Sequence, residues 1–400
     1  MKIYDYAIIG GGIIGLSTAM HLSKKFPKAL IILLEKELAP GMHQTGRNSG
    51  VIHSGVYYEP KSLKAYYSKS GSQSMVNFCR EHQIPYNICG KIIIATKKNE
   101  LVLLDNIYNR GIKNKVLVKK IEAEQVNEIE PHVKALAGVF VKSTGITNYL
   151  KVCKKYLELI KVYGGEVKLG TEVIKILDYK NMNLIITNTN DFIAKTVINC
   201  AGLHSDRVAK MAKSDPGIKI IPFRGEYYEL VPEKRYLVNS LIYPVPNPKF
   251  PFLGVHFTKM IDGSVHAGPN AVIAFKREGY SKTDFSFKDF QEILFYGGFW
   301  KLANANLAEG LKEIYRSFFK SAFVRNLQQI IPSIESKDLI PCKAGVRAQA
   351  LIDNGKMVDD FLIIKGEKSI HVCNAPSPAA TASLEIGMVI ANRASKFQNN

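Results

Sequence analysis

The first 35 residues contain the feature that most constrains the fold. Residues 4–9 predict a short buried strand, and the motif Gly-Gly-Gly-Ile-Ile-Gly follows at once at residues 10–15. Residues 16–25 predict a helix, and residues 29–34 predict a second buried strand that ends at Glu35. A strand, a glycine turn, a helix, a strand and an acid in this order are typical of a dinucleotide-binding unit.

Each residue of this motif has a physical role. Gly10 allows the tight turn, Gly12 lets the backbone approach a pyrophosphate, and Gly15 lets helix and sheet pack closely. The helix N-terminus offers free N–H groups and positive dipole to phosphates. Glu35, 20 residues after Gly15, suits hydrogen bonds from ribose hydroxyls and disfavours a 2′-phosphate, hence NADP. No second motif of this kind follows, so NAD and a permanently held FAD both stay open.

Composition limits the remaining possibilities. A chain of 400 residues that is 46% hydrophobic predicts two domains or one large composite. The six cysteines are scattered without a Cys-x-x-Cys pair, which predicts reduced thiols and no metal site. We expect no secretory signal before this unit, and the sequence shows no apolar run of the roughly 18 residues that a membrane span needs. We therefore expect a cytoplasmic protein, either free or peripheral on the inner face of the cell membrane.

The formal net charge is +19, with lysines spread along the whole chain. Such a charge suits nucleic acid, anionic lipid or an anionic substrate, and it also suits a generally lysine-rich proteome. No interleaved basic and aromatic motif typical of RNA binding is present, so we expect no nucleic-acid partner. An RNA-modifying flavoprotein stays as a remote alternative, and a non-catalytic binding module stabilised by FAD is remoter still.

The segment after the second strand separates the two cofactors. Residues 43–58 form a long polar loop that contains small residues, and an NAD-binding domain carries no such loop at this place. Small residues let a backbone lie against a planar ring, and Asn48 and Ser49 can donate to phosphate or flavin oxygens. The loop therefore favours FAD.

With this loop the chain resembles the D-amino-acid oxidase and glycine oxidase superfamily and, within it, the L-2-hydroxyglutarate oxidases and dehydrogenases. The longest matching segments are Pro-Phe-Arg-Gly-Glu-Tyr at 222–227 and Cys-Asn-Ala-Pro-Ser-Pro-Ala-Ala-Thr at 373–381. Further matches extend from end to end, at residues 8–15, 34–36, 45–58, 90–95, 251–256, 260–264, 268–280 and 344–350. One departure is Arg47, because family members often carry His there.

The resemblance implies an α/β composite fold, in which an antiparallel-sheet substrate domain is inserted into a Rossmann-like, three-layer FAD-binding domain. We expect the FAD-binding domain at residues 1–85, 143–215 and 341–400, and the substrate domain at 86–142 and 216–340. Strands are predicted at 196–199, 226–231, 253–258 and 371–374, and a helix is predicted to begin at 377–381 and to point its N-terminus at the flavin. The implied FAD-binding residues are Gly10, Gly12, Ile13, Ile14, Gly15, Glu35, Lys36, Thr45, Arg47, Asn48, Ser49, Gly50, Val173, Ala201, Gly202, Ser377, Pro378, Ala379, Ala380 and Thr381.

The implied reaction is hydride transfer from the Cα–H of a small 2-hydroxy acid to flavin N5, with loss of the hydroxyl proton. Arginine pairs bidentately with carboxylates, so Arg224, Arg277 and Arg347 are candidates for binding a dicarboxylate, and Arg347 also for catalysis. His53 and His256 are candidates for the base, because the ordinary pKa of histidine is near neutral. Tyr57 and Tyr243 can bind substrate or serve as the base, and a histidine, His43 or His53, can instead tether the flavin.

Three questions stay open at this level. Another small anion, such as glycerol 3-phosphate or a secondary amino acid, is the alternative substrate. The electrons can pass to oxygen or to a membrane quinone. Residues 296–301, with the only tryptophan, and the aromatic and basic residues 311–320 can lie on an anionic membrane, or can simply cover the substrate domain.

Overall fold

The computed structural model describes residues 2–247 and 254–397. These residues form three β-sheets with helices packed around them. The strands are β1 (Ile3–Ile9), β2 (Ile31–Leu34), β3 (Val51–Ile52), β4 (Tyr86–Asn87), β5 (Lys91–Ala95), β6 (Val118–Glu122), β7 (Ala137–Val141), β8 (Gly145–Thr147), β9 (Glu166–Lys168), β10 (Val173–Tyr179), β11 (Met182–Thr187), β12 (Phe192–Asn199), β13 (Lys219–Leu230), β14 (Leu241–Pro244), β15 (His256–Lys259), β16 (Val265–Gly268), β17 (Val272–Ile273), β18 (Leu339–Leu351), β19 (Leu362–Lys365) and β20 (Ser369–Asn374).

The α-helices connect and cover these strands. They are α1 (Ile13–Lys25), α2 (Leu63–Glu81), α3 (Leu101–Lys113), α4 (Ala123–Ile129), α5 (Tyr149–Val162), α6 (Ser205–Met211), α7 (Phe287–Leu294), α8 (Gly297–Ala305), α9 (Leu307–Phe318), α10 (Lys320–Gln328) and α11 (Ser383–Ser395). None of the helices in the described ranges is long and apolar enough to cross a bilayer.

The N-terminal unit folds as predicted, although α1 begins at Ile13, three residues earlier than expected. Gly10 has a φ of +110°, and a Cβ built there would lie 2.5 Å from the carbonyl oxygen of Cys200. A Cβ on Gly15 would lie 1.9 Å from the carbonyl oxygen of Gly10. Both positions therefore require glycine, which explains the two outer glycines of the motif.

The first sheet has a parallel centre in the order β9-β2-β1-β12-β20, extended by the antiparallel β10–β11 hairpin and by β19. Alternate side chains of β1 and β2 face opposite sides. Tyr6 and Ile8 pack with α1, α5 and α11, whereas Ala7 and Ile9 pack against the hairpin and α6. This arrangement confirms the predicted three-layer α/β unit.

The second sheet has nine strands in the order β17-β13-β16-β15-β14-β5-β7-β6, with β18 paired to β13. Its pairings are antiparallel except for β5 and β14, which run parallel. Because β5 precedes residue 142 and β14 follows residue 216, this pairing joins the two inserted segments into one sheet. Helix α10 packs on one face of this second sheet through Phe323 and Leu327. The other face of the sheet points toward the loops of the first sheet.

Three boundaries differ from the sequence-based expectation. Strand β18 pairs with β13 over most of its length, so the boundary expected at 341 cuts a strand of the second sheet; we place it after Leu351. The helix expected from 377 begins at Ser383, because residues 377–382 form turns. The predicted 253–258 strand is β15 from His256 onward, and its match at 251–256 lies partly outside the described residues.

Candidate active site

Several residues predicted to bind the nucleotide lie where the parallel strands of the first sheet end. Glu35, directly after β2, is buried and accepts hydrogen bonds from the backbone N–H groups of Gly11 and, at 2.8 Å, of Glu37. Ala201 and Gly202 follow β12 at the same edge, where Asn199 Oδ1 accepts from the Ala201 N–H at 3.1 Å. Val173 begins β10 and packs against the same apolar cluster as Ala201. Ligands of open α/β sheets bind at this edge.

The N-terminus of α1 is open to a phosphate group. It has no acidic residue in its first turn and no side-chain cap at Gly12. Thr45 Oγ1 accepts from the Ile13 N–H at 3.1 Å, and a Cβ built on Gly12 would meet only this oxygen, at 3.6 Å. The space in front of Gly12, together with the helix dipole, fits the pyrophosphate of FAD.

The loop after Gly41 is held by its own side chains. Asn48 Nδ2 donates to the carbonyls of Gln44 and Thr45, at 3.1 and 2.7 Å, and its Oδ1 accepts from the Gly50 N–H at 2.8 Å. Asn48 therefore shapes the loop in this structure, and its contact with the cofactor stays a prediction.

Arg47 and Lys36 also have protein partners. Arg47 donates to the Ala344 carbonyl at 3.2 Å and lies 3.8 Å from the centre of the Tyr280 ring. The Lys36 amine forms ion pairs with Glu37 and, at 2.9 Å, with Glu278. Arg47 therefore connects its loop to β18, and Lys36 connects the end of β2 to the segment between β17 and α7; the contact of both residues with FAD stays a prediction.

The turn at residues 377–382 contacts the loop that contains His53, one of the candidates for the base. Thr381 Oγ1 accepts from the His53 N–H at 3.0 Å, lies 3.0 Å from Tyr149 Oη, and is buried. Ser377 Oγ lies 3.3 Å from His53 Nε2. Thr381 thus fixes the backbone of His53, while Pro378, Ala379 and Ala380 complete the turn.

Residues of the second sheet converge on this loop. Ile92, Ile242 and Phe257 pack toward α10, so their neighbours Lys91, Tyr243 and His256 face the other way. Tyr243 and His256 stack with ring centres 3.9 Å apart and an angle of 20°. Tyr57 comes from the loop, and its buried hydroxyl has no hydrogen-bond partner among the described residues.

His256 is oriented for proton transfer. Its Nδ1 lies 2.9 Å from the Gly254 carbonyl oxygen, which can only accept, so Nδ1 carries the proton and Nε2 presents a lone pair. Burial, reinforced by Arg347 and Lys91, lowers the pKa of His256 to about 4. The imidazole is therefore neutral near pH 7. A dianionic substrate beside it would raise its pKa and strengthen it as a base.

His53 has a similar environment. It is half-buried, and burial, with the charges of Lys91 and His256, lowers its pKa to about 3.

Arg347, half-buried on β18, donates to the Asn270 carbonyl at 3.3 Å, and burial lowers its pKa. Strand β18 touches the nucleotide loop, because Gln44 Oε1 accepts from the Ala348 N–H at 3.0 Å.

Two arginines predicted to bind substrate are instead held by protein carboxylates. Arg277 pairs with Asp206 at 2.6 Å and with Glu292 at 3.0 Å, and it donates to the Leu203 carbonyl at 2.6 Å. Arg224 donates to Glu226 at 3.1 Å and to the Ser281 carbonyl at 2.9 Å. Asp206 is buried, whereas Glu226 and Glu292 are half-buried, so both arginines have protein partners in this structure; their binding of substrate stays a prediction.

Lys91 is the residue that sequence reasoning missed. It begins β5 and is buried with 1% exposure, and its Nζ lies 4.4 and 4.9 Å from the ring centres of Tyr57 and Tyr243. Burial lowers its pKa to about 7. The available signal was a charged residue at the head of the apolar run Ile-Ile-Ile-Ala, inside the matching stretch 90–95.

Comparison with known proteins agrees with this geometry. The family model described as FAD dependent oxidoreductase (DAO) matches residues 5–393. An L-2-hydroxyglutarate dehydrogenase of Indibacter alkaliphilus is 47% identical over 98% of this chain and 99% of its own length. The mitochondrial enzyme of that name from Homo sapiens is 42% identical over 97% of this chain and 88% of its own length.

Solved structures show the same fold at low sequence identity. L-α-glycerophosphate oxidase of Mycoplasma pneumoniae, with FAD bound, has a TM-score of 0.80 at 23% identity and covers 100% of this chain and 96% of its own. Glycine oxidase of Geobacillus kaustophilus has a TM-score of 0.73 at 15% identity, covering 99% and 95%. The chain belongs to the DAO family of FAD-dependent oxidoreductases and, within it, to the family of the L-2-hydroxyglutarate dehydrogenases.

Proposed function

We propose that this protein oxidises L-2-hydroxyglutarate to 2-oxoglutarate with FAD. The observation that carries the proposal is the 47% identity, over nearly the full length of both chains, to L-2-hydroxyglutarate dehydrogenases. The basic cluster of His53, His256 and Arg347 supports it, since a dianionic substrate needs cations and a proton acceptor in one place.

FAD, when bound, supplies the two-electron acceptor for the hydride that leaves C2 of the substrate. The backbone at Gly12 and the α1 N-terminus bind its pyrophosphate, and Glu35 its ribose. Arg347 binds the carboxylate next to C2 as a bidentate fork and so orients the C2–H bond. His256 Nε2 accepts the proton of the C2 hydroxyl as the carbonyl forms. His53 fills the remaining side of the site, and we keep it as the second candidate base.

The direct test is product formation. With an artificial electron acceptor, the purified holoenzyme should convert L-2-hydroxyglutarate to an equal amount of 2-oxoglutarate and should leave the D-enantiomer unchanged. Glycerol 3-phosphate and N-methyl amino acids serve as the competing substrates. Turnover of one of these, without turnover of L-2-hydroxyglutarate, would contradict the proposal.

We also propose that the protein docks on an anionic membrane surface through α9. The apolar residues Leu307, Leu311, Ile314 and Phe318 recur on one face of this helix and are 60, 57, 47 and 69% exposed. The polar residues Glu313 and Ser317 point inward. Glu313 accepts from the Ala271 N–H at 3.0 Å, and Ser317 Oγ donates to Glu226 at 2.8 Å. The helix therefore has its apolar face outward.

The charges around this helix favour an anionic lipid surface over an apolar protein partner. Lys282, Lys288, Lys301 and Lys312 are exposed in this region. The acids Asp289 and Glu313 are buried, and the half-buried Glu309 pairs with Lys312 at 2.7 Å. Outward bases around an outward apolar stripe are the features of an interfacial helix. Such docking would bring the enzyme to a membrane quinone, which we propose as the electron acceptor in place of oxygen.

Sedimentation with vesicles tests the docking surface. We expect the protein to pellet with phosphatidylglycerol-containing vesicles at low salt, and the double variant Leu311→Glu/Phe318→Glu to lose at least tenfold in bound fraction. Each side chain contributes roughly 1.5–3 kcal/mol when buried. Leu117→Glu, which changes a leucine that is 71% exposed elsewhere, is the matched control. Equal pelleting of the double variant and the control would reject α9 as the docking surface.

A further inference from the structure

Lys91 is a buried cation with no acidic partner among the described residues. Its Nζ forms no hydrogen bond and no ion pair within these ranges, and it lies over the ring faces of Tyr57 and Tyr243. Interaction with two aromatic faces offsets only part of the cost of burying an ammonium group. The lowered pKa of Lys91, near 7, reflects the same deficit. A buried ammonium in a cleft that lacks its counter-charge indicates a ligand anion.

A second polar group beside Lys91 also lacks a partner among the described residues. The Tyr57 hydroxyl is buried without a hydrogen bond within the described residues, and the Tyr57 ring lies under Lys91 Nζ. Buried polar groups are normally hydrogen-bonded, so an unpaired hydroxyl next to an unpaired ammonium points to the same missing acceptor. A carboxylate would satisfy both groups.

The sheet order separates Lys91 from Arg347. His256 lies on β15. On one side of β15 come β14 and then β5, which carries Lys91; on the other side come β16, β13 and then β18, which carries Arg347. The charges of both cations lower the pKa of His256, so both lie close enough to act on it from these two sides. A ligand with two carboxylates and its reacting carbon at His256 matches this arrangement.

We propose that Lys91 binds the carboxylate of the substrate that is remote from the reacting carbon, and that Lys91 thereby selects dicarboxylates over monocarboxylic 2-hydroxy acids. The proposal rests on the proposed function. The planar fork of Arg347 suits the carboxylate whose orientation fixes the C2–H bond, whereas the point charge of Lys91 suits the carboxylate at the flexible end of the chain.

Two substrates and two variants test this assignment. L-2-Hydroxypentanoate has the same five carbons as L-2-hydroxyglutarate but lacks the remote carboxylate. In Lys91→Met, kcat/KM for L-2-hydroxyglutarate should fall about 10- to 100-fold, whereas kcat/KM for L-2-hydroxypentanoate should stay level or rise. Lys91→Arg keeps the charge and should retain most of the preference for the dicarboxylate.

The pH dependence gives a second readout. Among the described residues, the titratable groups that face Lys91 are Tyr57, Tyr243, His53 and His256. Burial raises the pKa values of the two tyrosines and lowers those of the two histidines, so Lys91 is the group of this set whose pKa lies near 7. In the wild type, kcat/KM for L-2-hydroxyglutarate should decrease above about pH 7, as Lys91 loses its charge. Lys91→Arg should remove this decrease.

Equal losses on both substrates in Lys91→Met would overturn the assignment, because they would place Lys91 at the reacting end or in the scaffold. Flavin absorbance and the thermal unfolding midpoint show whether the variant is folded and loaded; if Lys91→Met does not fold, the substrate preference and pH profile of Lys91→Arg decide. If the wild type itself does not oxidise L-2-hydroxyglutarate, the proposed function fails instead.

Discussion

Replacing His256 by Asn should lower kcat by about 10²–10⁴-fold, the usual contribution of a positioned base. Asparagine can still donate from the Nδ1 position to the Gly254 carbonyl, so the local hydrogen bond of the wild type is kept. The lone pair at Nε2 is lost, and with it the acceptor for the hydroxyl proton. Stopped-flow measurement of flavin reduction isolates this step from reoxidation.

His53→Asn is the comparison for this variant. Both histidines are neutral near pH 7 and both face the same cluster, so their variants differ mainly in which proton acceptor is removed. The assignment of the base to His256 predicts that His53→Asn reduces flavin faster than His256→Asn. A slower His53→Asn, with near-normal reduction in His256→Asn, would transfer the role to His53.

Replacing Arg347 by Met should reduce kcat/KM for L-2-hydroxyglutarate by about 100-fold or more, because the substrate carboxylate next to C2 would lose its charged partner. The loss should appear in both KM and kcat, since Arg347 binds the substrate and also orients the C2–H bond. Steady-state kinetics with an artificial acceptor measure both parameters.

Two further arginine variants separate charge from geometry. Arg347→Lys keeps the charge but not the fork, so it should recover KM better than kcat. Arg235→Met removes an arginine whose guanidinium group pairs with Glu229 at 2.7 Å, and we expect this variant to leave the kinetics unchanged. An unchanged KM in Arg347→Met would remove this residue from the substrate site.

The sequence predicted the nucleotide-binding half well because its signals are local. A glycine turn, a helix and two buried strands follow one another within 35 residues, and steric limits at Gly10 and Gly15 leave little choice of geometry. The start of α11 was predicted six residues too early, because proline and small residues at 377–382 suit a turn as well as a first helical turn.

The substrate half depends on contacts between distant parts of the chain. Arg277 meets Asp206, and Arg224 meets the Ser281 carbonyl, so a flanking sequence of small residues could not distinguish these arginines from Arg347. Lys91 appears in sequence as the polar first residue of a strand, and only the pleat of the folded sheet turns it toward the site. Likewise, the spacing of the apolar residues in α9 predicts an apolar face, but it does not show whether that face points to the protein or to the solvent.

Anaerobic reduction of the flavin is the measurement that tests the central claim most directly. The account predicts that L-2-hydroxyglutarate, but not its D-enantiomer, rapidly bleaches the flavin absorbance of the purified protein near ~450 nm. Unchanged absorbance in protein that carries FAD would contradict the proposed substrate, and bleaching by glycerol 3-phosphate instead would assign the basic cluster to a phosphate.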